Sequence, residues 1–483
     1  MKPLSNYWDN HLRVAFETSA VHDLPAMVEA SIAHVLMLAE VGALPGERAR
    51  VLLGGLRQLW PKTLALTESP DFDGSVEDPY YWVEKQLAVE CGIATRDLDV
   101  QLARSRNDLD AAVFRMILRA DMLQQWQLHV ELIRQTCERA AENAEVLIWG
   151  HTHRRPAQPT SVGHVLSGLA DAWLAAADYQ HVFQAMNVSP LGGAAFAGTD
   201  IGYDAQLVAE LLGFEGIYNS SYEAISGADH FLQLAALHGR LATISARWAR
   251  VAQEWMSLGW IETPLAFTQG SSIMPQKVNP VVCEHLASYA GATIGDLTAC
   301  FVNVGQGWYE DSNNATTDIQ QHLWRTSDRT LRTLKLQVGL MTEFAVKTAP
   351  SVEQIVTAGV TTTSIAETLS KSGVAWGTAH DFVHDLAVSA PPTEWDAQRV
   401  GDMLARFELP AQLLDVVLSA GTDPSIVLRR SQPGSSGADA VRQAVDVTMQ
   451  RTALLEEQLN NERRRVEGAR EEMTRRMHAA LDS

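Results

Sequence analysis

Cysteine is scarce in this 483-residue chain: only Cys91, Cys137, Cys283 and Cys300 occur. No two of them form a CxxC pair, which excludes a disulfide framework or a thiolate metal site as the organising feature and fits a reducing compartment. Long uncharged apolar runs are lacking as well. The opening MKPLSNYWDNHLR has no apolar leader segment, and no stretch approaches the roughly 20 apolar residues of a membrane span, so a cytoplasmic protein is expected. Basic residues are in deficit, with 38 Lys and Arg against 58 Asp and Glu for a net charge of −20. That balance argues against nucleic acid or an acidic membrane as a partner. Alternating strand patterns are scarce too. Neither GxGxxG nor P-loop spacing occurs in the Gly/Ser-rich segments Ser189–Asp200 and Asn219–Phe231, so no nucleotide cofactor is implied.

What is present is helix. Hydrophobic residues make up 46% and charged residues 20%, an ordinary globular balance, and the length exceeds what one core usually supports. From about Asn107 to Lys347 apolar residues recur at helical spacing. One run starts at Val162, Val165, Leu166, Leu169 and Trp173 and is expected to continue to Met186; others span His230 to Met256 and Val281 to Val304. Helices of this length predict an elongated all-α bundle. Boundaries are expected near Leu98 and Ala349, giving domains 1–98, 99–349 and 350–483. Many Ala, Ser and Gly residues within the helices fit either simple helix propensity or close packing, and a slender bundle predicts self-association. The charged C-terminal helix is expected to present Arg463–Arg465 to solvent.

Three segments could carry chemistry. TQGSSIMPQKVNP (Thr268–Pro280) is overbuilt for a connector between helices. Lys277, Asn279 and the start of the next helix suit an anion, although a flexible linker explains the composition equally well. In QLARSRNDLDAAVFRM, Ser105, Arg106 and Asn107 read either as a helix cap or as a carboxylate site. In WGHTHRRPAQPTSVGH, His151 and His153 would share one side of an extended segment but lack a third metal ligand, so a general acid/base histidine is the better functional reading. Glu284, one turn into the following helix, could orient such a histidine or simply be solvated.

Together and in this order these segments resemble the aspartase/fumarase superfamily, and within it the argininosuccinate lyases, over nearly the whole chain. GSSIMPQKVNP is similar to the superfamily signature; SRND, THRRPAQP, PLGGAAFAGT and NSSYEAIS are similar to argininosuccinate lyase in wording and spacing. The resemblance implies a three-domain, nearly all-α subunit and a homotetramer with a twenty-helix core, each active site being shared by three subunits. It implies elimination of fumarate from a succinyl group, with no cofactor and no metal. Ser271 would be the general base; Lys277 and Asn279 would bind the succinyl carboxylate, and His153 paired with Glu284 would serve the acid side. Ser105, Arg106, Asn107, Thr152, Gln158, Ser272, Met274, Tyr309 and Asn314 would contact substrate.

The chain also departs from the family. Tyr80 stands where a His usually follows a Glu-Asp pair, Gly227 and Ala228 replace an Asp-Arg pair, and Thr317 replaces a lysine that faces the distal end of the substrate. Loss of that cation predicts an amine other than arginine. The expected activity is therefore a C–N lyase that reversibly splits an N-substituted aspartate into fumarate and an amine. Argininosuccinate itself, a C–O or nitro-eliminating reaction, and a non-catalytic structural homologue are the alternatives.

Overall fold

A computed structural model describes residues 5–482. A short π-helical turn, Trp8–Leu12, runs into α1 (Arg13–Glu40), followed by α2 (Gly46–Leu64), α3 (Pro79–Cys91) and the 37-residue α4 (Arg106–Glu142). A hairpin of β1 (Leu147–Thr152) and β2 (Arg155–Ser161) leads to α5 (Val162–Ala176) and α6 (Tyr179–Met186). Then β3 (Val188–Ser189), α7 (Ala205–Leu211), β4 (Gly216–Ile217) and α8 (Ser221–Ser226) precede α9 (Asp229–Ser257). The strands β5 (Gln269–Gly270) and β6 (Val278–Asn279) come before α10 (Val281–Gln306) and α11 (Gln320–Thr342). Shorter helices follow: α12 (Val352–Thr357), α13 (Thr362–Lys371), α14 (Trp376–Ser389), α15 (Ala397–Arg406) and α16 (Leu414–Thr422), before the 45-residue α17 (Ala438–Asp482). Each sheet among the described residues has only two strands, so the expected helical architecture holds.

The long helices start and stop where local chemistry directs. At the start of α4, Asp108 accepts the Ser105 N–H at 2.9 Å while Ser105 caps the first turn, a reciprocal capping box. The run expected to continue from α5 to Met186 is broken at Ala177 and Asp178. Asp is a weak mid-helix residue, and the break lets Tyr179 stack on Trp126 with ring centroids 5.4 Å apart. Trp126, Trp173 and Tyr179 are fully buried, and a large apolar side chain so buried contributes about 1.5–3 kcal/mol.

Three large apolar cores result among the described residues. The central one joins α4, α5, α9, α10 and α11; a second lies among α1, α2 and α3, and a third around Ile365, Phe382 and Leu386. Helix α17 ties two of them together: Leu455 and Leu459 enter the central core, and Met473 and Met477 the N-terminal one. The expectation that Arg463–Arg465 face solvent is corrected in part. Arg463 bonds Gln127 at 2.9 Å, because α17 packs along α4, and Arg465 lies 3.4 Å from Glu215, just before β4.

Two surfaces bear on assembly. Helix α1 with its preceding turn, Trp8–Glu40, is long and apolar enough to cross a membrane, but 83% of its apolar window is buried inside the chain, as a core helix requires. Helix α10 behaves oppositely. Ile294, Phe301 and Val302 are 42%, 46% and 49% exposed. Beside them a Cβ added at Gly291 or Gly295 would meet nothing within 4 Å. Glycine inside an exposed helix costs about 0.5–1 kcal/mol relative to alanine, so nothing within one chain explains these two.

Candidate active site

The start of α4 opens on a cavity of about 270 Å³ between α1, α3, α8 and the turn before α11. Arg106 and Asn107 line it. Arg106 is ion-paired with Asp78, lies 3.6 Å from Glu77, and stacks over Tyr81 with its guanidinium carbon 5.4 Å from the ring centre. Asn107 donates through Nδ2 to Asp311 and accepts the Ser105 hydroxyl at 2.7 Å. Asp108 points the other way and accepts the N–H groups of Gly192 and Ala194 at 3.2 and 3.0 Å. The SRND segment therefore combines both readings offered by its sequence: Ser105 and Asp108 cap the helix, and Arg106 and Asn107 face the cavity.

Three of the positions that depart from the family also meet here, since Tyr80, Gly227 and Thr317 line the same cavity. The Tyr80 hydroxyl donates to Glu84 at 2.5 Å, and burial together with that bond raises its pKa. Gly227 is sterically required: a Cβ there would lie 2.7 Å from the Glu223 carbonyl oxygen and 2.5 Å from a Glu223 carboxylate oxygen. Tyr309, 65% exposed, bonds the other Glu223 oxygen, and its carbonyl accepts the Tyr222 hydroxyl at 2.8 Å. Asn314 faces away, donating to Asn303 O at 3.5 Å.

His153 does not occupy an extended segment. With Arg154 it forms the tight turn between β1 and β2, at φ 49° and 65°, where left-handed backbone normally favours Asn or Gly. Arg154 reaches Glu254 on α9 with two bonds of 2.6 Å each, which holds the turn and keeps the Glu254 carboxyl below its ordinary pKa. Thr152 ends β1, opposite Arg155, and Gln158 pairs with Gly150. His164 is structural: it bonds Thr160 Oγ1 at 2.8 Å and Gly434 O at 3.2 Å.

The third segment is itself a hairpin. Gln269 pairs with Asn279 and Gly270 with Val278, and Asn279 Nδ2 donates to Gln269 O at 3.0 Å. Ser271 begins the loop and its Oγ accepts the N–H of Met274 at 3.0 Å. Ser272, Met274 and Lys277 are exposed around it. Glu284 is exposed on the first turn of α10 and accepts a long bond, 3.5 Å, from Gln253.

Within one chain, then, the candidates fall into two groups. Arg106 and Asn107 belong to the cavity; Thr152, His153, Gln158, Ser271, Ser272, Met274, Lys277, Asn279 and Glu284 do not line it. Among the described residues no hydrogen bond joins His153 to Glu284. Asp23, Asp78, Asp110 and Asp311, none singled out in the sequence, also line the cavity. The one signal for Asp110 was a charged residue inside the apolar pattern after SRND. No three His, Cys, Asp or Glu side chains among the described residues converge as metal ligands would.

A lyase family model matches residues 83–295. The chain is 30% identical over 429 residues to the argininosuccinate lyase of Anoxybacillus flavithermus, covering 88% of this chain and 92% of that one. Its fold is similar to the solved structure of EDDS lyase with formate, with TM-score 0.84, 24% identity, and coverage of 100% of this chain and 97% of the other. An EDDS lyase variant with bound fumarate matches at TM-score 0.83 and 25% identity, over 99% of this chain and 95% of that one.

Proposed function

As the chain belongs to the argininosuccinate lyase-like branch of the aspartase/fumarase superfamily, we propose that it releases fumarate from an N-substituted aspartate by breaking the C–N bond. The observation that carries this reading is the Ser271–Asn279 hairpin: it presents a serine, a lysine and an exposed loop ahead of α10, an arrangement suited to meeting a carboxylated substrate. Ser271, as the alkoxide, takes a proton from the carbon next to the far carboxylate of the succinyl group. The electron pair delocalises into that carboxylate, and Lys277 and Asn279 offset the added negative charge. The pair then forms the C=C bond of fumarate as the C–N bond breaks. The departing nitrogen takes its proton from the acid side, assigned to His153 with Glu284. Serine is a poor base at neutral pH, so its alkoxide depends on the adjacent lysine.

The two groups of residues lie apart in one chain, and a homotetramer resolves the separation. The exposed apolar face of α10, with Ile294, Phe301 and Val302 beside bare glycines, supports close approach of a second copy. In this reading the Ser271 loop, the His153 turn and the Arg106–Asn107 cavity of three different subunits complete each site. We also retain the division into 1–98, 99–349 and 350–483, a cytoplasmic location, and a catalytic cycle without cofactor or metal. Argininosuccinate is the second reading, favoured by the named relative; Thr317 in place of a lysine speaks against it.

The reverse reaction tests the proposal. Fumarate incubated with the protein and a panel of primary amines in deuterated water should lose its vinyl proton signal and yield N-substituted aspartate carrying one deuterium. Unconsumed fumarate across the panel would overturn the reading.

A further inference from the structure

The cavity beside Arg106 carries far more negative than positive charge. Asp23, Glu77, Asp78, Asp110, Asp311 and Asp318 line it, against Arg106 and Arg115. Arg106 is engaged by Asp78 and Glu77. Arg115 bonds neutral groups, Ala111 O at 2.6 Å, Tyr218 Oη at 3.0 Å and Ala224 O at 3.4 Å. Asp311 has only the Asn107 amide and the Thr316 hydroxyl, the latter at 3.4 Å. Asp23 is 4% exposed. Its Oδ1 and the Oδ1 of Asp110 are buried, and neither has a hydrogen-bond partner among the described residues.

A buried carboxylate oxygen without a hydrogen-bond partner is costly, and here two such oxygens face one cavity, although the Asp23 carboxyl also has the Ser19 hydroxyl. Burial and the neighbouring Asp23, Asp78 and Asp311 raise the pKa of Asp110 well above the carboxylate range. Such a group is stabilised by a donor that brings positive charge. Among the described residues no three His, Cys, Asp or Glu side chains converge there as metal ligands would. The cavity is lined by Asn107, which the proposed site places against substrate, and by Thr317 where the family carries a lysine.

We propose that this cavity is the amine subsite and that Asp23 and Asp110 determine its specificity, recognising a distal cation, an ammonium or a guanidinium, on an amine that carries no distal carboxylate. The inference rests on the C–N lyase reading and specifies its substrate class. A carboxylate at the distal end would meet Asp110 and Asp311 on a lining with six acids against Arg106 and Arg115; an ammonium would donate to both orphan oxygens. A charge-assisted bond of this kind contributes about 1.5–3 kcal/mol, or about ten- to a hundredfold in affinity.

The test uses the full-length assembly with diaminobutane, butylamine and aminobutyrate as free ligands in calorimetry. The three corresponding N-substituted aspartates serve as substrates for fumarate release. Diaminobutane should bind at least about tenfold more tightly than the other two, and its aspartate adduct should be preferred in kcat/KM by a similar factor. Asp23→Asn and Asp110→Asn should each erase that preference while the circular dichroism spectrum is kept; two variants guard against one misfolding. Equal binding of all three amines, or a preference for aminobutyrate, would overturn the subsite. Aspartate-dependent diamine binding without fumarate release would uphold the subsite and refute the lyase reading. Fumarate release with no preference for the diamine adduct would do the reverse.

Discussion

Asp108 joins two parts of the chain that lie 84 residues apart: one carboxylate oxygen caps the N–H of Ser105, and the other takes the N–H groups of Gly192 and, nearby, Ala194. Asp108 is fully buried, and burial raises its pKa to about 6 against the pull of those backbone bonds and Arg104. Replacing it with Ala strands three half-buried donors. We expect Asp108→Ala to destabilise the fold by about 2–4 kcal/mol, read as a lower midpoint in urea. A midpoint within error of the wild type would show that the tie carries no stability.

Arg154 and Glu254 hold the turn that carries His153. Their pair is exposed on the arginine side, 73% against 21%, so solvent screening leaves it little weight in stability. Its value lies in positioning. Arg154→Ala should leave the melting temperature nearly unchanged and lower kcat about tenfold or more, as small misplacements of a catalytic group do. A fall in melting temperature without loss of kcat would make the pair structural only.

Gly295 on α10 offers a clean probe of assembly. Since a Cβ there touches nothing within one chain, Gly295→Leu should keep subunit helicity but block the close approach of a second copy. Analytical ultracentrifugation should show loss of the proposed tetramer, and fumarate release should fall with it. A tetramer that persists would move the interface elsewhere.

Asp23 makes stability depend on pH. Burial, with Asp78 adding to it and the Ser19 hydroxyl opposing, raises its pKa from 3.8 to about 7. The folded state therefore binds the proton more tightly than the unfolded chain. That contribution is complete below the unfolded value and is lost as pH rises through about 7. Asp23→Asn, neutral throughout, should gain on the wild type by about 4 kcal/mol between pH of about 4 and about 8. Parallel stability profiles would show that Asp23 does not ionise in the fold.

Much of this was legible in the sequence because it is local. Apolar periodicity marked α4, α9 and α10, and the donors around Ser271 and Lys277 marked the loop ahead of α10. Ser105 could be read as a cap, and the structure adds that Asn107 beside it faces a cavity. What escaped is tertiary. Nothing in HTHRR announces that His153 adopts left-handed backbone, which depends on the β1–β2 register and on Glu254 a hundred residues away. The break at Asp178, which lets Tyr179 stack on Trp126, shows only in the packing. Asp23 and Asp110 look like ordinary helix-surface acids until their burial against each other is seen.

The central claim is that Ser271 removes a carbon-bound proton so that fumarate can leave. The most direct measurement is fumarate absorbance in single-turnover mixtures of N-substituted aspartate with wild-type protein and with Ser271→Ala, after both are shown to have the same assembly state. The account predicts fumarate release by the wild type and a loss of about a thousandfold or more in the variant, within the range of a general base together with its alkoxide. Equal release by the two proteins would contradict it.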